Sequence, residues 1–315
     1  MAQPTSTFSS YDAVGNREDL SDIIFDISPT ETPVLTAIPK SKATGTKHEW
    51  QTDSLAAASG SNAVIEGDDA TTDASTATTR VFNYCQISDK VPRITGTQEV
   101  VDKAGRRSEM AFQLEKRMKE IKRDVETSLL QNVASAAGTD TSARTSGGLQ
   151  SWVVTNQNIA SDATAATGDG TDAHTDGTAR ALTEAMYEEV LAAAWTSGGS
   201  PSLGVCNAFQ KRKVAAFSGN ATSFEKREDR KIYNTVDIYL DPLGNEIRMV
   251  PDRFCPTDVV YFIDPEYLKF ATCRDFRTWD LAKTGDSERK QILVEYTLEV
   301  CNEAAHGIIT DLTAS

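Results

Sequence analysis

The apolar residues between Ser108 and Ala137 recur with the period of a helix. Met110, Leu114, Met118, Ile121, Val125 and Leu129 are spaced by four, four, three, four and four, which holds them on one stripe of a 3.6-residue turn. The flanking faces carry opposite charges four apart, Glu115/Lys119, Lys116/Glu120 and Lys122/Glu126, the spacing at which ion pairs meet on a helix surface. Ser108 predicts the N-cap, Glu109 sits in the first turn, and Gly138 predicts a left-handed stop. At about 1.5 Å per residue such a helix reaches about 45 Å. A narrow stripe between charged flanks suits a beam laid on a sheet.

A second pattern, of period two, runs from Gln291 to Cys301. Ile292, Val294, Tyr296, Leu298 and Val300 alternate with polar residues including Glu295, Thr297 and Glu299, the signature of a strand with one apolar face on which the helix can lie. Between Leu182 and Ile263 the patterning is that of an ordinary α+β domain. Thr183 and Asn207 cap two helices, the first ending at Gly198 and the second near Gly219. Strands are expected at Ile232–Leu240, Glu246–Val250 and Val259–Ile263, the first two joined by the turn Asp-Pro-Leu-Gly-Asn. Near the start, Leu20, Ile23, Ile24 and Ile27 fall on one short helical face. Pro33 and Pro39 then bracket Val34, Leu35 and Ile38, read as an extended apolar segment that something must cover.

Two stretches have no apolar pattern. Residues 44–95 have strand-like ends, His48–Gln51 and Arg80–Ile87, around a middle of Ala, Ser, Thr, Asp and Gly. From 51 to 80 the large apolar residues are Leu55, Val64 and Ile65 alone. That is too little area to offset backbone ordering at roughly 1–2 kcal/mol per residue, so the segment needs another molecule to fasten it. Residues 139–180 repeat this composition around Trp152–Thr155 and are expected to be solvated.

Composition narrows the function. The chain has 46 acidic against 32 basic residues, a formal charge of −14, opposite to what a phosphate-wrapping surface requires. The helix's basic residues, Arg106, Arg107, Lys116, Arg117, Lys119, Lys122 and Arg123, are interleaved with acids and read as a solvated or subunit-facing surface. The five cysteines are scattered and odd in number, as expected of free thiols in a reducing cytoplasm. Neither a leader peptide nor a membrane span is expected. No phosphate loop, nucleophile elbow or zinc spacing occurs. His48 reads as a strand residue packing on Trp50. A calcium loop beginning at Asp172 places Asp176 and Gly177 correctly but puts His174 and Thr183 where oxygen-rich ligands belong. The reading is therefore a non-enzymatic chain with no catalytic residue, cofactor or metal.

Several ordered, collinear stretches resemble one family. These are SPTETPVLTAI at Ser28–Ile38, HEWQTDSL at His48–Leu55, ITGTQEV ending at Val100, GRRSEMAFQ at Gly105–Gln113, and LAKTGDSERKQILVEYTLEVCNEAAHG at Leu281–Gly307. The chain is identified as a member of the major capsid proteins of tailed bacteriophages with the Hong Kong 97-type fold.

The resemblance implies an α+β subunit in five segments: an N-terminal arm (1–43), an extended loop (44–95), a peripheral domain with a spine helix (96–180), an axial domain (181–285) and C-terminal strands returning to the peripheral domain (286–315). It implies self-assembly into hexamers and pentamers of an icosahedral head that encloses double-stranded DNA without sequence-specific binding. It also implies a separate scaffolding protein, a portal, a decoration protein as an optional partner, and residence in the virion after synthesis in the host cytoplasm. The interface residues expected are Ile23, Ile27, Val34, Leu35, Trp50, Leu55, Val64, Ile65, Phe82, Arg106 and Arg107. The archetype's lysine–asparagine weld is not expected, because residues 51–79 contain no lysine. The alternatives are a nanocompartment shell of the same fold and a soluble calcium-binding protein.

Overall fold

The computed structural model describes residues 28–69, 72–73, 75–217 and 238–314. The helical face Leu20–Ile27, with Ile23 and Ile27, and the first part of the strand expected at 232–240 lie outside the described residues. Five helices are present among those described: α1 (Pro33–Ala37), α2 (Gly96–Val100), α3 (Glu109–Leu130), α4 (Glu184–Thr196) and α5 (Ala208–Val214). The strands are β1 (Lys40–Lys42), β2 (Lys47–Thr52), β3 (Thr79–Tyr84), β4 (Gln86–Lys90), β5 (Arg93–Thr95), β6 (Gln157–Asn158), β7 (Leu203–Cys206), β8 (Ile238–Leu240), β9 (Glu246–Pro251), β10 (Val260–Ile263), β11 (Leu268–Asp280), β12 (Ser287–Val300) and β13 (Gly307–Ile309).

They form two sheets and a free ribbon. The first sheet runs β1-β11-β12-β4, with β5 also on β12. β1 lies parallel to β11, and the other pairs are antiparallel. The second sheet runs β6-β13-β10-β7-β9-β8. The ribbon is β2 paired with β3, from Lys47↔Tyr84 to Thr52↔Thr79.

Helix α3 lies on the first sheet as its periodicity requires. Ile121, Val125 and Leu129 are buried in one cluster with Ile292, Val294 and Tyr296 of β12. Its start is the expected one, with Ser108 Oγ accepting from Ala111 N at 3.2 Å. Its end is not. The helix stops at Leu130, and Gln131 is extended (φ −70°, ψ 153°), so its 22 residues span about 33 Å. Tyr261 Oη donates to the Leu130 carbonyl at 2.5 Å, satisfying one of the acceptors a helix end leaves open. Beyond it the backbone serves other partners: the Asn132 side chain bonds both the N–H and C=O of His174, and Ser135 N donates to Gly170 O. Gly138 does have positive φ, but in a separate turn.

The second sheet separates two cores by simple alternation. Val205, Tyr261, Ile263 and Ile308 face the α3 cluster, while Cys206, Val260, Phe262 and Ile309 face Tyr187, Val190 and Leu191 of α4. The caps at Thr183 and Asn207, the positive φ of Gly198 and the β8–β9 turn all stand where the sequence predicts them.

Three other expectations are corrected. Residues 139–180 are not a solvated stretch: Leu149, Trp152, Val153, Ala160 and Ala166 are buried, and Gly170, at φ +74°, lets the backbone pass so close to Trp152 that a Cβ would lie 2.5 Å from its ring. The polar face of β12 is not open to solvent either, since Glu295, Thr297 and Glu299 are all buried. Finally, the expected segment boundaries cut across the sheets. β11, placed by sequence with 181–285, pairs with β12, whereas β6 and β13 join the second sheet.

Candidate assembly surfaces

The ribbon is rigid at its root and unsupported at its tip. At the root, Trp50 Nε1 donates to Val300 O at 2.8 Å and its ring lies 5.4 Å from that of Trp152. His48 Nε2 is 3.0 Å from a Glu299 carboxylate oxygen that also accepts from Ser41 Oγ at 2.7 Å, while Lys269 Nζ reaches the other oxygen at 3.1 Å. These donors outweigh burial and hold the Glu299 carboxyl down at about 2. Asn83, fully buried, exchanges bonds with Gly147 and donates to Leu298 O at 2.8 Å. Phe82 is half-buried beneath Lys47, whose Nζ stands 3.8 Å from the ring centroid. Past Thr52 the support ends. Leu55, Val64 and Ile65 are 99, 83 and 79 % exposed, and the described residues from 53 to 78 form no strand or helix.

The N-terminal segment is fastened differently. Val34, Leu35 and Ile38 are buried in the chain's own core, so Val34 and Leu35 are not a free face awaiting a neighbour. They also lie on or beside one helical turn rather than an extended segment, because Pro33 favours the first helical position and Glu126 meets the turn's start. Glu126 Oε1 accepts from Val34 N at 2.7 Å and Oε2 from Leu35 N at 2.8 Å. Glu126 was expected on the solvated flank opposite Lys122; it is instead fully buried. Burial pushes its carboxyl up to about 7, the two N–H donors only partly opposing, with nearby Asp252 adding to the rise. Nothing in the 3.6 period distinguishes a buried glutamate from an exposed one; the partner, 92 residues away in sequence, is what decides.

Three of the seven basic residues in and before α3 pair with its acids. Arg106 bonds Glu109 and lies over Phe112, Lys119 meets Glu115 at 2.8 Å, and Arg117 rather than Lys116 takes Glu120, at 2.5 Å. Arg107 is exposed. Cys85, Cys206 and Cys255 are buried free thiols, and burial pushes the first two up to about 12. No described helix is long and apolar enough to cross a membrane.

The hairpin with its exposed tip and the two-sheet body crossed by one long helix have counterparts among known proteins. The SU10 major capsid protein family matches residues 3–313. The chain belongs to that family. The major capsid protein of Escherichia phage Phieco32 is 28 % identical over an alignment of 345 positions, gaps included, covering 98 % of this chain and 97 % of that one. Among solved structures, the cyanophage A-1(L) capsid asymmetric unit superposes with a TM-score of 0.67 at 13 % identity, over 97 % of this chain and 98 % of that one. The capsid of a native GTA particle gives 0.65 at 13 %, over 96 and 98 %. The fold of this SU10-family chain is therefore the Hong Kong 97-like capsid fold, and the protein is a phage major capsid protein that forms the virion shell. That membership settles the choice against a nanocompartment shell or a soluble calcium binder.

Proposed function

We propose that copies of this chain close into rings of six and five that tile an icosahedral head around double-stranded DNA, each laying residues 53–78 across its neighbour. The observation that carries the arrangement is the bare tip: Leu55, Val64 and Ile65 stand in solvent on a ribbon whose root is fixed. Burying such side chains returns roughly 1.5–3 kcal/mol each. A contact between two different patches on successive copies closes into rings. Trp50 fixes the angle at which the ribbon leaves the body, Phe82 packs within the ribbon against Lys47 and Tyr84, and exposed Arg107 is available to an adjacent copy. In this reading residues 1–43 are the arm, the first sheet with α3 is the peripheral part, and the second sheet with α4 and α5 is the axial part. The role is structural, without catalysis. A separate scaffolding protein and a portal complete the particle, and a decoration protein is accommodated. The charge of −14 leaves the DNA enclosed but not gripped by sequence.

The test is assembly of the purified chain carrying Leu55→Ser, Val64→Ser and Ile65→Ser together. The variant subunit should melt close to wild type, because the changed side chains are largely exposed. It should nevertheless give few or no closed shells by negative-stain microscopy and sedimentation. Normal shell yield from this variant would sink the proposed arrangement while leaving the family assignment intact.

A further inference from the structure

The turn that follows Gly170 and the residues after β13 bring together three side chains remote in sequence from the ribbon, His174, Asp176 and Asp311. His174 and Asp311 are buried, their side chains 2 and 0 % exposed, while Asp176 reaches solvent at 65 %. His174 Nε2 is 3.4 Å from Asp311 Oδ1, 3.4 Å from Thr310 Oγ1 and 3.9 Å from Asp176 Oδ1. The imidazole nitrogen and the two carboxylates each place a donor atom within 4.8 Å of the others.

These separations are long for hydrogen bonds to a ring nitrogen. They are close to the about 3.3 Å that separates two donors on one tetrahedral ion bound at about 2.0–2.1 Å. The group is held in place from behind. Asp311 accepts from Gly177 N at 2.7 Å, Ala160 N at 2.9 Å and Thr310 Oγ1 at 2.9 Å, and His174 is fixed through its own backbone to Asn132.

The local field is negative. Asp258 lies near enough that the charges of Asp176 and Asp311 add to burial in raising its proton affinity. Arg180 answers Asp311 only at a distance, directing its Nη2 to the carbonyls of Asn158 and Thr310.

We propose that His174, Asp176 and Asp311, with Thr310 beside them, bind one divalent ion of the zinc or manganese class. Imidazole with carboxylates suits those ions better than calcium, which takes six to eight oxygens. The exposed side at Asp176 is the entry path and leaves a position for water. His174, a misfit in a calcium loop read from sequence, stands instead beside Asp311, 135 residues beyond Asp176. The bound ion would tie the 160–177 loops to the C-terminal strand that closes the second sheet.

The test uses full-length protein stripped with a chelator, then titrated separately with zinc, manganese and calcium chloride by calorimetry, with melting followed in parallel. Zinc or manganese should bind with about one ion per chain and raise the melting temperature, with calcium weaker. Asp176→Asn, an exposed change that leaves the metal-free melting temperature unaltered, should weaken binding at least about tenfold, the scale set by losing even an outer-shell partner. Asp140→Asn, in a neighbouring exposed turn, should bind as wild type. Absence of binding at millimolar zinc and manganese, or equal binding by Asp176→Asn, overturns the site and leaves a hydrogen-bonded His174–Asp311 pair.

Discussion

Glu126 makes the docking of the first helical turn sensitive to protons. Its carboxyl is raised to about 7 in the folded chain from 4.5, so between those values the folded state holds a proton that the unfolded state has lost. Stability from this group is full below about 4.5 and declines as pH rises through 7. Glu126→Gln should flatten the fall of melting temperature between pH 5 and 8, while lowering stability at pH 5 by roughly 1–3 kcal/mol because one carboxamide oxygen cannot serve both amides. Glu299 has the opposite sign. Held at about 2 by His48, Ser41 and Lys269, it stabilises above about 4.5, and that contribution disappears as pH falls towards 2. Glu299→Gln should cost on the order of 3 kcal/mol at neutral pH and shift acid unfolding to higher pH, read by tryptophan fluorescence because Trp50 and Trp152 meet beside it. His306, fully buried and pushed down to about 4 by that burial, adds to the same acid limb.

The long helix, the closing strand and the ribbon are where patterning and structure agree most closely, for a physical reason. Each is an element whose period is set by one continuous surface: Ile121, Val125 and Leu129 on α3, Ile292 to Val300 on β12. Ile121→Ala, removing a fully buried side chain from the helix–sheet seam, should destabilise by about 2–5 kcal/mol in denaturant melts. What patterning misjudged depends on partners remote in sequence. Glu295 and Glu299 look solvent-facing until Arg144, Arg274, Lys269 and His48 are brought over them. The 139–180 stretch looks uncored because its glycines read as disorder, yet Gly148 and Gly170 are small so that the Gln131 carbonyl and the Trp152 ring can pass against them. Gly170→Val should therefore give largely insoluble protein, measured as the soluble fraction on expression. The interface set divides the same way: Leu55, Val64 and Ile65 are as bare as their surroundings suggested, whereas Val34 and Leu35 turn inward.

At the scale of the whole molecule, a fixed body carries a ribbon with a bare tip, which in the proposed arrangement neighbouring copies cover. Protease added to dissociated subunits should cut first between residues 53 and 78, and the same bonds should resist in assembled shells, as gel and mass analysis would show. Equal resistance in both forms would mean that the ribbon stands without neighbours. The order in which the body is wired adds something else. β12 is the middle of the first sheet, yet it is made after every strand it pairs with, and it must receive β11 on one side and β4, about two hundred residues earlier, on the other. β13 likewise enters the second sheet only after β6 and β10, the strands on either side of it, have been made. A chain still emerging from the ribosome thus lacks the staves that seat both layers, and such distant pairings form late. Synthesis order therefore sets completion: a chain halted before residue 287 has neither β12 nor β13, and both layers stay open along the gaps those strands fill.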